Sequence, residues 1–388
     1  QSILPTQVDV KASHADGSTR HAVISARIPV LSANEKRRLE IVVVDSSPAG
    51  NVVAINNLLQ AGFDATVTLI TGGTTYTASA ASQLVANNMN AWLTGAHVGE
   101  WITRAPLKDA NGIIHNHLTA RFNIRAYAGF DKVRVDVIIE NNWAFVNSPS
   151  DITYKVTVSA CGIEVYNKPN LVHYTQARWR KTFWCGADPQ VHIAHNAGYI
   201  IDSGALPNYD RSIIIPESAL ANMESNWDEL GAYAEPMGIG TVESNMPAPG
   251  GRPDIGPIPR WTARYLLSQD PRAKKVTLGN ADLAGSWSIH YRNQQTDLPV
   301  TLDDYPYMTI LGGNNATFNP ATGESERFPS CGANCDNPNI PDSSHQPALT
   351  FIPYLVTGDH YYLEELMFWA NYNLFQAHPE VRNYASGL

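Results

Sequence analysis

Charge is scarce in this sequence. Lys, Arg, Asp and Glu make up 16% of the 388 residues, and 27 basic against 36 acidic side chains give a net charge of −9. No basic stripe is present to displace the counterions of a phosphate backbone, so general nucleic-acid binding is excluded. Apolar runs are short: none approaches the roughly 18 residues of a membrane-crossing helix. Several catalytic signatures are missing. The chain has no Walker A loop, no Gly-x-Gly-x-x-Gly at a strand–helix turn, no Gly-x-Ser-x-Gly elbow and no His-Glu-x-x-His, which sets aside nucleotide, hydride, serine-hydrolase and zinc-protease chemistry. Cysteine is sparse at four residues. Cys161 and Cys185 stand apart, and Cys331 and Cys335 sit in one Pro/Asn/Gly-rich loop; neither spacing makes a zinc site. Outside the cytosol the loop pair would close a disulfide; otherwise the thiols stay free.

What the chain has in quantity is Tyr (17), Trp (9), Pro (25) and Gly (27). A polar, weakly charged, aromatic-rich composition is common in extracellular β-rich and carbohydrate-handling proteins. The sequence starts at Gln1 and stops at Leu388 just after a helical pattern, so we expect it to be cut from a longer polypeptide.

Residues 1–165 read as β. Val8–Val30 holds two alternating runs around His14-Ala15-Asp16-Gly17-Ser18, a hairpin signal. Further alternating runs follow, punctuated by Gly62, Gly72-Gly73 and Gly129-Phe130-Asp131, as expected of a sandwich or barrel. In Lys132–Ile139 the alternation predicts one buried and one wet face. Residues 166–225 read as a transitional segment. It carries a concentrated positive patch, Arg178, Arg180 and Lys181, interleaved with Trp179 and Trp184. These cations either meet a uronate or phosphate or form a solvated strand face.

Residues 226–388 read as α with long loops. Tyr265–Asp270 aligns with Tyr354–Asp359 at an offset of 354 − 265 = 89. In each copy a short apolar helix ends at a polar corner, an Asp stands at the N-cap, and a longer helix follows. This is a helical hairpin used twice, as in a solenoid or an (α/α) toroid. The fold class is therefore an N-terminal β-sandwich or barrel-like domain followed by an α/α-hairpin domain, here an incomplete toroid. Asp342–Pro347 is expected to open the second hairpin, with His345 at the helix start, where the dipole favours a neutral imidazole.

The chemistry-bearing residues gather around these hairpins and loops. β-Elimination from a uronic acid needs a base, an acid and a cation to neutralise the carboxylate. His345 is the preferred base, Tyr291 or Tyr361 the acid, and Arg260 or Arg292 the carboxylate partner. Trp261, Tyr305 and Tyr307 would stack on sugar, with Asp254, Asp303, Asp304, His290 and His360 lining the cleft. Hydrolysis would instead use Asp303 or Asp304 with Glu364 or Asp254. Any of these side chains could equally be a packed structural residue. No cofactor is called for, although Asp303-Asp304 could hold a divalent cation.

The stretch Leu4–Val30, with Asp16-Gly17-Ser18 at its turn, resembles the start of the N-terminal β-domain of the exo-rhamnogalacturonan lyase family. The resemblance implies a barrel-like β-domain, then an (α/α) toroid, and a polysaccharide lyase acting on an acidic glycan. Related sequences resemble virion-associated proteins of tailed bacteriophages. No catalytic residue of that family maps onto this chain. The expected reading is thus an extracellular or virion-associated carbohydrate-active protein of lyase type, with an acidic polysaccharide and other virion subunits as partners. A structural or glycan-binding virion protein without catalysis, and a glycoside hydrolase, are its alternatives.

Overall fold

In the computed structural model, residues 3–28, 30–42, 50–243, 254–313, 316–332 and 335–384 are described. The opening hairpin forms where the Asp-Gly-Ser signal predicts it. Strands β1 (Thr6–Ser13) and β2 (Thr19–Ala26) pair antiparallel as a separate two-stranded ribbon. At the turn the Ser18 N–H donates to Asp16 Oδ1 at 2.9 Å, and Gly17 takes a φ of 85° that side chains avoid.

After a short helix α1 (Ile55–Gln60) the main sheet begins. It is built from β3 (Ala65–Thr71), β4 (Thr74–Ser79), β5 (Asn90–Thr94), β6 (Val98–Lys108), β7 (Ile114–Tyr127), β8 (Val133–Asn141), β9 (Ile152–Ala160), β10 (Ile163–His173) and β11 (Ala177–Cys185). Helix α2 (Ala80–Val85) follows β4, its first turn capped by Ser79. The ladder runs β10–β9–β3–β4–β6–β7–β8–β11, with β5 on the side of β6. The result is a nearly closed, barrel-like sheet. Alternate residues point inward: Leu118, Ala120, Phe122 and Ile124 of β7, Val133, Val135, Val137 and Ile139 of β8, and Trp179 of β11 share one apolar core.

The ends of the sheet meet through side chains. Trp179 Nε1 on β11 donates to the Tyr154 hydroxyl on β9 at 2.7 Å, and that hydroxyl lies 2.8 Å from His173 Nδ1 on β10. His173 Nε2 is 3.0 Å from the Ala177 carbonyl, which can only accept. Nε2 therefore carries the proton and Nδ1 accepts from Tyr154. Cys161, beyond β9, is bonded to Cys185 at the end of β11, with Cα atoms 5.7 Å apart. Cys331 and Cys335 form a second disulfide.

The sheet extends past the expected boundary at residue 165, which falls inside β10; residues 166–185 complete the barrel. The rest of the presumed transitional segment belongs with the helices. Leu206, Leu220 and Met223 share a second core with Trp261, Tyr265, Trp287 and Phe368. The helices are α3 (Ala197–Asp202), α4 (Glu217–Asp228), α5 (Arg260–Ser268), α6 (Pro271–Asp282), α7 (Phe351–Thr357) and α8 (His360–Phe375). Between α6 and α8 the chain holds the small ladder of β12 (Phe318–Asn319) and β13 (Glu324–Ser325).

The two expected helical hairpins are present as α5–α6 and α7–α8. Both corners turn on a left-handed residue, Gln269 (φ 50°) and Gly358 (φ 65°), followed by Asp. The equivalence stops at the aspartates. Asp270 accepts from the Arg272 N–H at 2.8 Å, an ordinary N-cap, whereas the Asp359 side chain makes no cap bond. One segment ties both corners together: His192 Nε2 lies 2.7 Å from the Gln269 carbonyl and His195 Nε2 lies 3.1 Å from the Val356 carbonyl. A closed toroid is not formed by the helices described.

Candidate functional site

The outward face of β6, β7, β8 and β11, expected to be wet at β8, is covered by α6 and α8. Its residues are unusual for a buried surface: Glu100, Arg121, Arg125, Asp136, Glu140, Arg178 and Arg180 are all under a tenth exposed. Charges this deep are tolerated only when paired and hydrogen-bonded, and here they form two linked groups.

The first group joins Arg121, Arg178 and Arg292 to Glu140, Glu364, Glu365 and Asp297. Arg178 donates to Glu365 Oε1 at 2.6 Å, Glu364 Oε2 at 2.8 Å and Glu140 Oε1 at 3.0 Å. Arg292 Nη2 reaches Glu140 at 2.9 Å and Glu364 at 3.0 Å. Arg121 bonds both Glu140 and Asp297. His290 joins them. Its Nδ1 lies 2.9 Å from the Trp287 carbonyl and its Nε2 lies 2.8 Å from Glu365 Oε2. The carbonyl can only accept, so Nδ1 donates to it.

The second group joins Arg125, Arg134 and Arg180 to Glu100, Asp136, Asp282 and Asp359. Arg125 and Arg134 are direct cross-strand neighbours of like charge, an arrangement that costs stability on its own. Asp359 Oδ1 resolves it, accepting from both at 2.8 Å while Oδ2 accepts from Arg180 at 3.0 Å. Again four carboxylates face three arginines. Burial pushes the Glu100 carboxyl up, against the pull of Arg125 and Arg134. The Tyr361 ring links the groups, with the Arg178 guanidinium 4.5 Å and that of Arg180 5.1 Å from its centroid.

The protonation behaviour follows. Burial alone would raise Glu140, but Arg121, Arg292 and Arg178 outweigh it and hold it at about 2. Glu364 and Asp359 are likewise buried yet held well below the carboxylate range by their arginines. Burial, reinforced by Glu365, pushes the Tyr361 hydroxyl well above its ordinary value. A general acid or base must change protonation near the working pH, and these groups do not.

The network reaches solvent at its margins, at Asp282 and at Arg104 with Asp297. Arg104 and Asp297 are about a third exposed there and 3.4 Å apart, with the Arg104 guanidinium 5.6 Å from the Trp143 ring centroid. His360 is part-exposed, 5.0 Å from the Trp92 ring, with Nδ1 4.0 Å from Glu364. Burial, opposed by Glu364 and reinforced by Arg178, Arg292 and Arg121, lowers His360 and keeps it neutral at pH 7.

The structure scatters the residues singled out by the sequence. Arg292, His290, His360 and Tyr361 meet in the network. Tyr361 donates to the Asp282 carbonyl at 3.2 Å. His345 is elsewhere: its Nδ1 lies 2.9 Å from Asp342 Oδ2 in a turn closed by the Ser344 N–H on Asp342 Oδ1. Helix α7 starts at Phe351, so the expected helix start at His345 is corrected, and no dipole acts there. Tyr291 stacks on Phe328 with centroids 3.8 Å apart, in a small aromatic core. Arg260 is exposed at the start of α5, while Trp261 is buried in the second core. Asp254 is buried and accepts from the Glu243 N–H at 3.3 Å. Asp303 and Asp304 are exposed, Asp304 bonding the Thr301 hydroxyl at 3.1 Å. Tyr305 accepts from Asn293 Nδ2 at 2.9 Å, and Tyr307 lies against the Tyr384 ring at 4.8 Å. Among the described residues no cluster of His, Cys, Asp and Glu is arranged to hold a metal ion, and no helix is long and apolar enough to cross a membrane.

Sequence reasoning missed Arg121, Arg125, Arg134, Glu140 and Glu365. For the four strand residues the available signal was their period of two in strands read as half-wet; Glu365 lies in α8 and had no such signal. The chain was compared with protein-family models, with curated proteins and with solved structures, and none matches it.

Proposed function

We propose that this chain is a structural or glycan-binding protein of an extracellular or virion-associated assembly, without catalytic turnover. The observation that carries this reading is the state of Arg292, Glu364 and Tyr361. Each is buried and bonded, with Glu364 held well below and Tyr361 pushed well above its ordinary range, while His345 and Arg260 stand apart from them. The network fastens the helical layer to the barrel as one block, a property suited to a building unit. Two disulfides favour an oxidising location. The paired hairpins are read as part of an (α/α) toroid, supported by their matching left-handed corners.

One observation favours a second reading, a lyase acting on an acidic glycan. At the edge of the network His360 is part-exposed, its imidazole pKa lowered by burial and its ring 5.0 Å from the half-buried ring of Trp92, which offers a face for a sugar. Incubating the protein with pectic and bacterial acidic polysaccharides separates the two readings. Elimination generates an unsaturated sugar that absorbs in the ultraviolet; hydrolysis generates reducing ends without that absorbance. The structural reading expects neither product from folded protein. An absorbance rise abolished by His360→Ala would replace it with the lyase.

A further inference from the structure

Among the described residues the first buried apolar side chain is Val53. Before it, residues 3–42 contain alternating, β-branched runs, and only one face of the ribbon is held by its own chain: Gln7 accepts from the His97 and Val98 N–H groups, Asp9 accepts from the Thr94 N–H, and Lys11 donates to the Trp92 carbonyl. Val8, Val10 and Ile24 stand exposed on one face of the β1–β2 ribbon, and Ile41 is 77% exposed. The run Leu39–Val42, strand-like in sequence, is extended and unladdered. The opposite face, with Val8, Val10 and Ile24, is left uncovered, and exposed apolar strands of this kind recruit a partner.

The arm is basic in an acidic protein. Between residues 3 and 42 there are six Lys and Arg and four Asp and Glu, a balance of +2, which leaves −9 − 2 = −11 for the remainder. Arg20, Arg27 and Lys36 make no ion pair among the described residues.

The opposite charge is concentrated in residues 187–243. That segment has nine acidic residues against Arg211 alone, a balance of 1 − 9 = −8. Lys168, Lys181, Arg272 and Lys275 pair with Glu235, Glu217, Glu224 and Asp228. Asp188, Asp202, Asp210, Glu229 and Glu243 have no ion pair among the described residues. The same shelf exposes Tyr199, Ile213 and Ile214, the last at 87%.

We propose that the arm, residues 3–42, docks on the 187–243 shelf of a second copy of this chain. Arm cations meet shelf carboxylates, and the apolar arm faces cover Tyr199, Ile213 and Ile214. The contact is head-to-tail, because arm and shelf are different surfaces, so it builds rings or filaments rather than closed dimers. Its charge component weakens with salt. The inference goes beyond the non-catalytic reading and would hold for an enzyme as well.

The test is a charge-reversal exchange followed by light scattering and sedimentation. The arm variant Arg20→Glu/Arg27→Glu/Lys36→Glu and the shelf variant Asp202→Lys/Asp210→Lys/Glu229→Lys change surface groups that make no ion pair among the described residues, Asp210 and Glu229 accepting only from the neighbouring Ser212 and Ser225, and the unfolding midpoint of each checks that it folds. Wild type is expected to associate at micromolar concentration, and each variant to remain monomeric. An equimolar mixture of the two variants should associate again. Wild type that stays monomeric at every concentration would overturn the proposal, as would an arm variant that still self-associates or a mixture that does not.

Discussion

Asp359, at the corner of the second helical hairpin, accepts a hydrogen bond from Arg125 near the end of β7 at 2.8 Å, across 234 positions of sequence. The same oxygen binds Arg134, the like-charged cross-strand neighbour of Arg125. One carboxylate thereby removes a repulsion inside the sheet and anchors the start of α8 to it. Asp359→Ala leaves three buried guanidinium groups under-compensated. We expect a loss of about 3–5 kcal/mol in unfolding free energy, measured by urea denaturation. Asp270→Ala, which removes an ordinary cap at the equivalent corner, should cost about 1 kcal/mol.

The barrel seam gives a second expectation. The Cys161–Cys185 bond closes a loop with a sequence separation of 24, for which loss of the cross-link costs about 3 kcal/mol. The double variant Cys161→Ser/Cys185→Ser should melt several degrees lower and lose amide protection first in β9–β11. An unchanged melting temperature would mean that the Trp179–Tyr154–His173 chain closes the seam unaided.

Acid should weaken the fold before its carboxylates titrate. Burial lowers His173 to about 4, with the Ala177 carbonyl and Glu140 pulling the other way. The unfolded imidazole titrates near 6.5. Between those values the unfolded chain binds more protons than the native one, so stability falls as pH drops from about 6.5 to about 4. For this buried group the loss amounts to about 3 kcal/mol. Below that window Glu140 and its neighbours, held low in the native state, continue the loss in the same direction; Glu100, raised by burial, opposes it. His173→Gln should flatten the upper part of the profile, read as unfolding midpoint against pH.

His345 provides a prediction of indifference. Its ring bonds Asp342 in a turn remote from the arginine network, so His345→Ala should leave the unfolding midpoint within about 0.5 kcal/mol of wild type. Arg178→Met, placed where three carboxylates converge, should cost several kilocalories.

Local chemistry made part of this fold legible. Asp16-Gly17-Ser18 encodes its turn within five residues, and the two Tyr-to-Asp corners encode hairpins through their left-handed residue and following Asp. The sheet face was read wrongly because alternation reports that two faces differ, not what covers them. Arg121, Arg125, Asp136 and Glu140 look like a solvated face until Glu364, Glu365 and Asp359 arrive from more than 200 positions away. His192 and His195 were unreadable for the same reason: their partners are main-chain carbonyls, which leave no mark in sequence. Tyr291, Tyr361 and Trp261 had the residue types of a sugar site, but rings of this kind serve equally as core: Tyr361 and Trp261 are buried, and Tyr291 stacks on Phe328.

The central claim is that the buried arginine network makes barrel and helical layer one cooperative block. Hydrogen exchange under native conditions tests it directly. Amides of α8 and of β7–β8 should open with the same free energy and the same denaturant dependence. If α8 exchanges through an opening several kilocalories below that of β7–β8, the network does not fasten the two layers together, and the account is wrong.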